Sequence, residues 1–417
     1  MIYRCGACGG LLEVRHDLEA LRDLRTPRSW KALFRERLSA IRGFHRSGVW
    51  RYHELVLPDL SPADAVTLGE GNTGLYRLEA LERRAGAGPL HLKHEGQNPS
   101  LSFKDRGMTA GVSWARRLGV RAVACASTGD TSAALALYAA RAEGLAALVV
   151  VPRDGITLEQ LGQPLASGCR TIRLDTDFDG CIQLLQELAR LHPLYLLNSL
   201  NSIRLEGQKT IAFEILQQLD WEPPDWIVMP VGNAGNVSAL AKGFSELREL
   251  GILERVPRLA GVQAAAAAPL ARAFSEGAPE IEPLVAGETI ATAIRIGNPV
   301  SAPKALSAVR ASQGVFLQVD DAAAADAKAL VDASGVSICP NSGVAVAGWL
   351  QLVSEGVIGR RESAVVVGTA HGIKFSRTTL DYHRGTSPAG PGAHANPPVE
   401  TAATLEDLER AAGLACG

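Results

Sequence analysis

Apolar and polar positions follow two different periods along the central part of the chain. Short apolar runs of strand length alternate with longer stretches in which apolar residues recur every three or four positions, as on one face of a helix. This repeated alternation is typical of a mostly parallel sheet with helices on both faces, so the pattern predicts an α/β fold. The predicted strands are 121–126, 146–151, 170–174, 195–197, 226–231 and 363–367, and the predicted helices are 105–119, 131–142, 158–165, 178–191, 204–219, the alanine run 264–268 and one that begins near 237.

The two ends of the chain differ from this alternating centre. Residues 1–66 contain an Arg- and Leu-rich helical stretch at 17–42, followed by a proline-bounded turn at 58–62, and are predicted to form an N-terminal extension. Residues 386–417 are rich in proline and glycine near their start and are predicted to be a flexible tail. The region 67–385 is then the predicted catalytic region.

Composition narrows the possible partners. The chain has 417 residues, with 42 Lys and Arg against 44 Asp and Glu, so its formal charge is −2. A near-neutral balance argues against a nucleic-acid or anionic-membrane partner, and no apolar run approaches the roughly 20 residues that cross a bilayer. The first residues lack the apolar segment of a secretory signal, and seven cysteines are too few for a disulfide framework. We therefore expect a cytoplasmic enzyme of two or three domains.

Lys104 stands at the start of a predicted helix, in the loop Ser102-Phe-Lys-Asp-Arg-Gly107. The positive end of the helix dipole disfavours an ammonium group there and helps the amine become neutral. A neutral lysine amine is what a Schiff base with an aldehyde cofactor requires. An isolated lysine is more often a solvated surface residue, so this interpretation depends on the other loops.

Loops that follow the strands of such a sheet lie at its ligand-binding edge. After the strand at 121–126, Ser127, Thr128 and Thr131 offer hydroxyl and backbone N–H groups at a helix N-terminus, which suits a carboxylate. An ordinary N-cap with a glycine turn explains the same segment equally well.

A second loop, Gly232-Asn-Ala-Gly-Asn236, follows the strand at 226–231. Its two glycines let successive backbone N–H groups converge on an anion. It lacks the Gly-Lys-Ser/Thr ending of a nucleotide P-loop and the third glycine of a dinucleotide fingerprint. A phosphate without a nucleotide is therefore the better inference, although many turns between a strand and a helix contain glycine and asparagine.

A third loop, Gly368-Thr-Ala-His-Gly372, follows the last predicted strand. Thr369 can form one hydrogen bond with a ring nitrogen. His371 suggests a general base, but a histidine beside glycine in a tight loop is more often structural.

Taken together, these loops resemble those of pyridoxal-phosphate enzymes of the tryptophan-synthase-β type, and specifically the plant-type branch of the threonine synthases. The resemblance extends from about residue 68 to about residue 383. It implies fold type II, with two parallel-sheet α/β domains, a smaller subdomain at about 108–203 inserted in the larger one, and the cofactor in the cleft. The similar motifs include Leu68-Gly-Glu-Gly-Asn-Thr-Gly-Leu75, Ser102-Phe-Lys-Asp-Arg-Gly107, Asn198-Ser-Leu-Asn-Ser-Ile-Arg-Leu-Glu-Gly-Gln-Lys209, Ile296-Gly-Asn-Pro-Val300, Ile338-Cys-Pro-Asn-Ser-Gly-Val-Ala345 and Thr369-Ala-His-Gly372.

The resemblance also implies a cofactor, pyridoxal 5'-phosphate, and the residues that hold it. Lys104 would form the Schiff base, the loop at 232–236 would bind the phosphate, and Thr369 would face the pyridine nitrogen. Asp130 stands where the wider fold usually has an asparagine that touches the ring's phenolic oxygen, and a carboxylate there repels that oxygen unless a proton lies between them. The implied cofactor-binding residues are Phe103, Lys104, Asp130, Gly232, Asn233, Ala234, Gly235, Asn236 and Thr369.

The implied reaction converts O-phospho-L-homoserine and water to L-threonine and phosphate, with Lys104 as the general base. Ser127, Thr128 and Thr131 would bind the substrate carboxylate, and Asn198, Ser199 and Arg204 the leaving phosphate. Arg204 lies in the first turn of a predicted helix, where its charge opposes the dipole, so an anionic partner is plausible. The family makes a homodimer the expected assembly.

Two other functions are consistent with the same fold. A serine/threonine ammonia-lyase or a cysteine-synthase type of enzyme would not need the phosphate set at Asn198, Ser199 and Arg204. A catalytically silent regulatory protein would not need Lys104. Regulation by S-adenosylmethionine, known in the plant-type branch, is not predicted, because no motif in this sequence establishes it.

Cys5 and Cys8 resemble half of a zinc ribbon. A four-ligand site needs two more donors, and the sequence has no second Cys-x-x-Cys. His16 is a possible third ligand, but a plain turn is the better interpretation, so no metal is predicted.

Overall fold

Ten strands form two sheets in the computed structural model, which describes residues 3–127, 129–153 and 161–414. The larger sheet has the order β1-β2-β10-β7-β8-β9, and the smaller has the order β5-β4-β3-β6. All neighbouring pairs are parallel except β1 with β2. The strands are β1 (Leu75–Arg77), β2 (Leu90–His94), β3 (Ala122–Ala126), β4 (Ala146–Pro152), β5 (Arg170–Leu174), β6 (Leu194–Leu196), β7 (Trp226–Pro230), β8 (Arg258–Ala264), β9 (Val315–Val319) and β10 (Ala364–Gly368).

Helices connect these strands and cover both sheets. The described residues include short 3-10 helices as well as α-helices. The 3-10 helices lie at 44–46, 50–52, 95–97, 265–267, 292–294 and Gly372–Phe375. The α-helices are α1 (Leu18–Leu24), α2 (Pro27–Leu38), α3 (His53–Val56), α4 (Glu79–Ala85), α5 (Lys104–Arg117), α6 (Asp130–Arg141), α7 (Gly162–Ala166), α8 (Phe178–Leu191), α9 (Ser202–Gln208), α10 (Thr210–Gln218), α11 (Gly235–Glu249), α12 (Pro269–Ser275), α13 (Ala302–Ala311), α14 (Asp321–Asp332), α15 (Pro340–Ser354), α16 (Ser376–His383) and α17 (Leu405–Ala411). No helix among the described residues is both long and apolar enough to cross a membrane.

The order of the strands along the chain explains the two-sheet architecture. The central strands β7 and β10 are apolar at nearly every position and buried throughout, as expected for parallel strands covered on both faces. They pair in register, with Ala364 opposite Trp226. The whole smaller sheet lies in sequence between β2 and β7, so it is an insertion into the larger sheet. The predicted α/β class with two parallel sheets is confirmed.

Most predicted elements are present, with shifted ends. The predicted helix at 204–219 is two helices, α9 and α10, that meet at Lys209. The alanine run 264–268 was wrongly predicted as a helix: it begins as the buried end of β8 and continues as a 3-10 helix, because its place in the sheet outweighs the helix propensity of alanine. The predicted helix at 158–165 falls partly outside the described residues, and α7 begins at Gly162.

The N-terminal sixty residues pack into the main core. The rings of Trp30, Phe34, Trp50 and Tyr52 are fully buried, in one apolar cluster with Ile227 of β7. Because aromatic side chains of this size bury a large apolar area, they fix the extension firmly to the larger sheet.

The Cys5–Cys8 segment forms a closed turn. The Cys5 N–H donates to the Gly10 carbonyl at 2.8 Å, and the Gly9 N–H donates to the Cys5 carbonyl at 2.9 Å. The His16 ring hydrogen-bonds Glu206 at 2.7 Å, so the suggested third ligand is engaged elsewhere.

Part of the proline- and glycine-rich tail contacts the larger domain. The His394 N–H donates to the Tyr382 hydroxyl at 3.0 Å, and the Asn396 N–H to the His383 ring at 2.9 Å. The flexibility of 386–417 and the other domain boundaries stay predictions.

Candidate active site

Lys104 is the first residue of α5, where the chain leaves the larger sheet. The Phe103 N–H donates to the Thr369 carbonyl at 2.9 Å, and Ser102 forms a bridge with Ala370, so the loop before Lys104 lies against the loop after β10. The Lys104 amine is 4.1 Å from the centre of the Phe103 ring. Two of the loops singled out in the sequence therefore meet.

The surroundings of Lys104 favour its neutral amine. The pKa of Lys104 is lowered from 10.5 to about 7, chiefly by burial and also by the Arg204 guanidinium, while the Asp130 carboxylate opposes both effects. These causes are desolvation and nearby charge, whereas the sequence argument relied on the helix dipole. A nucleophilic amine is thus available near neutral pH, as a lysine that reacts with an aldehyde requires.

This lowered pKa predicts how the cofactor-free protein should react. Because only the neutral amine attacks a carbonyl, the rate of reaction of Lys104 with a small aldehyde should rise with pH through a midpoint near 7. Stopped-flow measurement of that rate, with the modified lysine located by mass spectrometry, tests the expectation. A midpoint near 10.5, the ordinary value, would contradict it.

A buried group of charges fixes α5. The Arg106 guanidinium lies 2.7 Å from Glu95 and 2.8 Å from Glu214, and the Lys93 amine lies 2.6 Å from Glu214. Burial alone would raise the pKa of Glu214, but Arg106 and Lys93 hold that pKa well below its usual range. Removing one member would leave a buried charge unpaired, so the group stabilises the position of Lys104.

Asp105 is a buried acid that the sequence analysis did not single out. Its carboxyl oxygens accept hydrogen bonds from the Ser100 N–H at 3.0 Å and from the Ser100 hydroxyl. Burial raises the pKa of Asp105 from 3.8 to about 7. The residue next to Lys104 therefore anchors the loop through Ser100 rather than offering a free charge.

The loop at 127–131 connects β3 to α6. The Ser127 hydroxyl accepts a hydrogen bond from the Gly129 N–H at 3.3 Å, and Thr131 is half-buried in the first turn of α6. Thr128, predicted to bind the carboxylate, lies outside the described residues.

Asp130 opens α6 and has a cationic partner that the sequence analysis missed. The Lys374 amine lies 2.6 Å from the Asp130 carboxylate. Lys374 follows the Thr369 loop by only a few residues, on the 3-10 helix Gly372–Phe375. Nothing in the local sequence pattern indicates this pairing, because it depends on how the two sheets are arranged.

The loop at 232–236 has unpaired backbone donors. Among the described residues, none accepts a hydrogen bond from these five backbone N–H groups, which precede and begin the 15-residue helix α11. Ala234 adopts a left-handed conformation with φ of 61°, unusual for a residue other than glycine and often found at functional sites. A side chain on Gly232 would come within 3.0 Å of Ile294, so glycine is needed there. The loop therefore fits a bound phosphate.

Thr369 directly follows β10 and is almost fully buried. Its N–H donates to the Ser342 hydroxyl at 2.9 Å, and its hydroxyl lies 3.4 Å from the Ser342 hydroxyl and 3.7 Å from the Cys339 sulfur. These neutral groups at the start of α15 orient the Thr369 hydroxyl, which suits an uncharged partner for a ring nitrogen.

His371 has contacts that support the structural reading. Its Nδ1 accepts a hydrogen bond from the Ile373 N–H at 3.1 Å, within the same loop. Its ring stacks on that of His94, with 5.5 Å between the ring centres.

Asn198 joins the predicted phosphate set to the predicted carboxylate loop. Its amide donates to the Ala126 carbonyl at 2.8 Å and accepts from the Ala126 N–H at 3.2 Å. Asn198 thus holds Ser199 beside Ala126, which precedes Ser127. These two hydrogen bonds use most of the hydrogen-bonding capacity of the Asn198 side chain.

Arg204 is a buried cation without an anionic partner among the described residues. It is 2% exposed, and its Nε has no hydrogen-bond partner there. Burial lowers the pKa of Arg204 to about 10. A cation this deeply buried is normally paired, so an anionic ligand is the simplest explanation.

Close packing and charge connect these parts into one site. Arg204 packs on α5, where a side chain on Gly107 would come within 3.3 Å of its Cβ. The neighbouring Leu205 reaches the phosphate-type loop, 3.7 Å from where Gly235 would carry a side chain. A reactive amine, a cradle of N–H donors and a neutral hydroxyl together suit a phosphorylated aldehyde such as pyridoxal phosphate.

Comparison with known proteins agrees with this geometry. The family model described as pyridoxal-phosphate dependent enzyme matches residues 66–370. The chain is 44% identical to threonine synthase 2, chloroplastic, of Arabidopsis thaliana over 97% of its own length and 79% of the relative's. It is 45% identical to the threonine synthase of Methanocaldococcus jannaschii, over 90% and 89% of the two chains.

Solved structures with lower sequence identity share the fold. The L-serine ammonia-lyase of the fungus Rhizomucor miehei aligns with a TM-score of 0.63 at 22% identity, over 72% of this chain and 94% of that one. At this identity the likeness concerns the fold alone, whereas the two relatives share sequence over nearly the whole chain. The chain therefore belongs to the family of pyridoxal-phosphate dependent enzymes and, within it, to the threonine synthases.

Proposed function

We propose that this chain converts O-phospho-L-homoserine and water to L-threonine and phosphate, the last step of threonine biosynthesis. The observation that carries the proposal is Arg204, a buried guanidinium with an unpartnered Nε and no anionic partner among the described residues. A phosphorylated substrate supplies a second anionic group for Arg204. The substrates of a serine or threonine ammonia-lyase carry only the α-carboxylate, which the loop at 127–131 is proposed to bind.

The contacts described above support the proposed cofactor-binding roles. Bound pyridoxal phosphate supplies an electron sink for the carbanion that forms on the substrate. Lys104 would hold it, the N–H groups at 232–236 would bind its phosphate, and Thr369 would meet its ring nitrogen. Phe103, whose ring lies 4.1 Å from the Lys104 amine, and Asp130 would border it.

Lys104 is the proposed proton carrier. Once the substrate amine has replaced it, the neutral amine of Lys104 would take a proton from Cα, give that proton up again, and only then take one from Cβ. Its pKa near 7 suits both the uptake and the return of a proton. Arg204 acts on the same amine, because its positive charge helps to keep that pKa low.

The substrate would be held at both of its anionic ends. Ser127, Thr128 and Thr131 would bind the α-carboxylate at the start of α6. Arg204 and Ser199 would bind the phosphate, and Arg204 would stabilise the charge that grows on it as it leaves. Asn198 would contribute chiefly by fixing Ser199, because its amide already pairs with Ala126.

Substrate choice tests this function directly. We expect kcat/KM for O-phospho-L-homoserine to exceed by far that for release of ammonia from L-serine or L-threonine by the same preparation. Parallel measurement of phosphate release and 2-oxoacid formation gives both values. Efficient ammonia release without use of the phosphorylated substrate would favour the lyase instead, and a protein that binds cofactor but turns over neither would favour a regulatory role.

Assembly and location are part of the proposal. The family resemblance supports a homodimer, and the composition supports a cytoplasmic enzyme without a nucleic-acid or membrane partner. Light scattering coupled to size-exclusion chromatography tests the first of these expectations.

A further inference from the structure

Lys374 and Asp130 form an ion pair between the two sheets. The Lys374 amine is 2.6 Å from the Asp130 carboxylate, and the two side chains are 15% and 8% exposed. Asp130 begins α6, which connects β3 and β4 of the smaller sheet, and Lys374 follows β10 of the larger sheet. The pair thus connects the two halves of the site at the edge where both sheets present the ends of their strands.

A second contact fixes the Lys374 amine independently of Asp130. It donates to the Ser100 carbonyl at 3.0 Å. Ser100 is itself held by two hydrogen bonds to the Asp105 carboxyl group. The amine therefore occupies a defined position before any ligand is bound, unlike a solvated surface lysine, which pays side-chain entropy to form a pair.

The other charges around Asp130 do not replace this partner. Lys104 and Arg204 are the other basic side chains of the site, and among the described residues neither forms an ion pair with Asp130. Asp105 is hydrogen-bonded to Ser100, and burial raises its pKa to about 7. Lys374 is the cation that forms a direct ion pair with Asp130 among the described residues.

A carboxylate at position 130 creates an electrostatic problem for the bound cofactor. The phenolic oxygen of pyridoxal phosphate carries negative charge, and a second negative oxygen beside it is repelled unless a proton or a cation intervenes. An uncharged asparagine at this position would need no such compensation.

We propose that Lys374 is a positioning residue that neutralises Asp130 and orients its carboxyl group toward the cofactor's phenolic oxygen. This inference rests on the proposed cofactor-facing role of Asp130. Lys374 contacts neither substrate nor reacting atoms: it acts through Asp130.

The test is the pH dependence of the absorbance of the bound cofactor. In Lys374→Met the unpaired carboxylate should favour a proton on the phenolic oxygen, so the midpoint of the absorbance change should rise by about one pH unit or more. If the wild-type absorbance band is independent of pH over the range measured, the band of Lys374→Met should nevertheless change with pH. Lys374→Arg should keep the wild-type behaviour, because it keeps the cation.

The double variant Asp130→Asn, Lys374→Met provides the decisive comparison. It removes the carboxylate that needed compensation, so its midpoint should return toward that of the wild type. Lys328→Met is the matched control, because Lys328 is a similarly buried lysine paired with Asp332 outside the site. It should change stability without moving the band.

Identical spectra for Lys374→Met and the wild type at every pH would overturn the inference. So would a midpoint that stays raised in the double variant. If the wild-type protein makes threonine and Lys374→Met keeps the wild-type spectrum, only the role of Lys374 is rejected. The proposed function then stands. Wild-type protein that binds cofactor without making threonine would reject the proposed function, and the spectra would still decide the role of Lys374.

Discussion

Replacing Lys104 with alanine should remove threonine formation almost completely. The substitution deletes both the amine that would hold the cofactor and the group that would move protons at Cα and Cβ. Loss of a general base alone commonly lowers the rate by about 10²–10⁴-fold, and loss of covalent attachment adds to this. Phosphate release and threonine formation by Lys104→Ala and wild-type protein, measured side by side, test the expectation.

Two further measurements separate a chemical role of Lys104 from a structural one. Borohydride reduction of the loaded wild-type protein should attach the cofactor to Lys104, as located by mass spectrometry, and should attach none at this site in the variant. A small primary amine added to Lys104→Ala should restore part of the activity, because it replaces the missing base. Substantial threonine formation by the variant without added amine would contradict the assignment.

Replacing Arg204 with methionine should impair use of the phosphorylated substrate far more than any reaction of substrates without phosphate. Methionine keeps an apolar stem against Gly107 and Gly111 but cannot bind an anion. Loss of one partner of a buried charged interaction costs about 2–4 kcal/mol, which is roughly 30- to 900-fold in kcat/KM. Steady-state kinetics with O-phospho-L-homoserine and with L-threonine as a lyase substrate give the two losses.

The same substitution should have the opposite effect on stability. In the absence of phosphate, Arg204 is a buried cation without an anionic partner among the described residues, so its removal should raise the free energy of unfolding. Arg190→Ala, on the exposed face of α8 in the smaller domain, is the control and should change neither quantity. An equal loss of kcat/KM on both substrates, or a lower free energy of unfolding for Arg204→Met, would show that Arg204 does not bind the substrate's phosphate.

The sequence was sufficient for those parts of the fold and site that depend on local pattern. Apolar runs such as 146–151 and 226–231 predicted strands because each is short and bounded by turn residues. Strands β1, β2, β8 and β9 were not predicted, because each includes polar residues among its apolar ones and its pairing depends on distant neighbours. The alanine run at 264–268 was misread for the same reason.

The candidate site divides in a similar way. Lys104 and the loop at 232–236 carry their chemistry in adjacent residues, so a motif was enough to single them out. The properties of Lys374 and Asp105 depend instead on contacts that form only on folding. Lys374 pairs with Asp130 across the two sheets, and Asp105 is buried and hydrogen-bonded to Ser100. Burial also set the pKa of Lys104, which the helix dipole alone would have shifted less.

The most direct test of the central claim is the ratio of the two products from one reaction. Purified protein loaded with pyridoxal phosphate and given O-phospho-L-homoserine should release phosphate and L-threonine in equal amounts at every time point. Phosphate accompanied by 2-oxobutyrate and ammonia, or no phosphate at all from fully loaded protein, would contradict the proposed reaction.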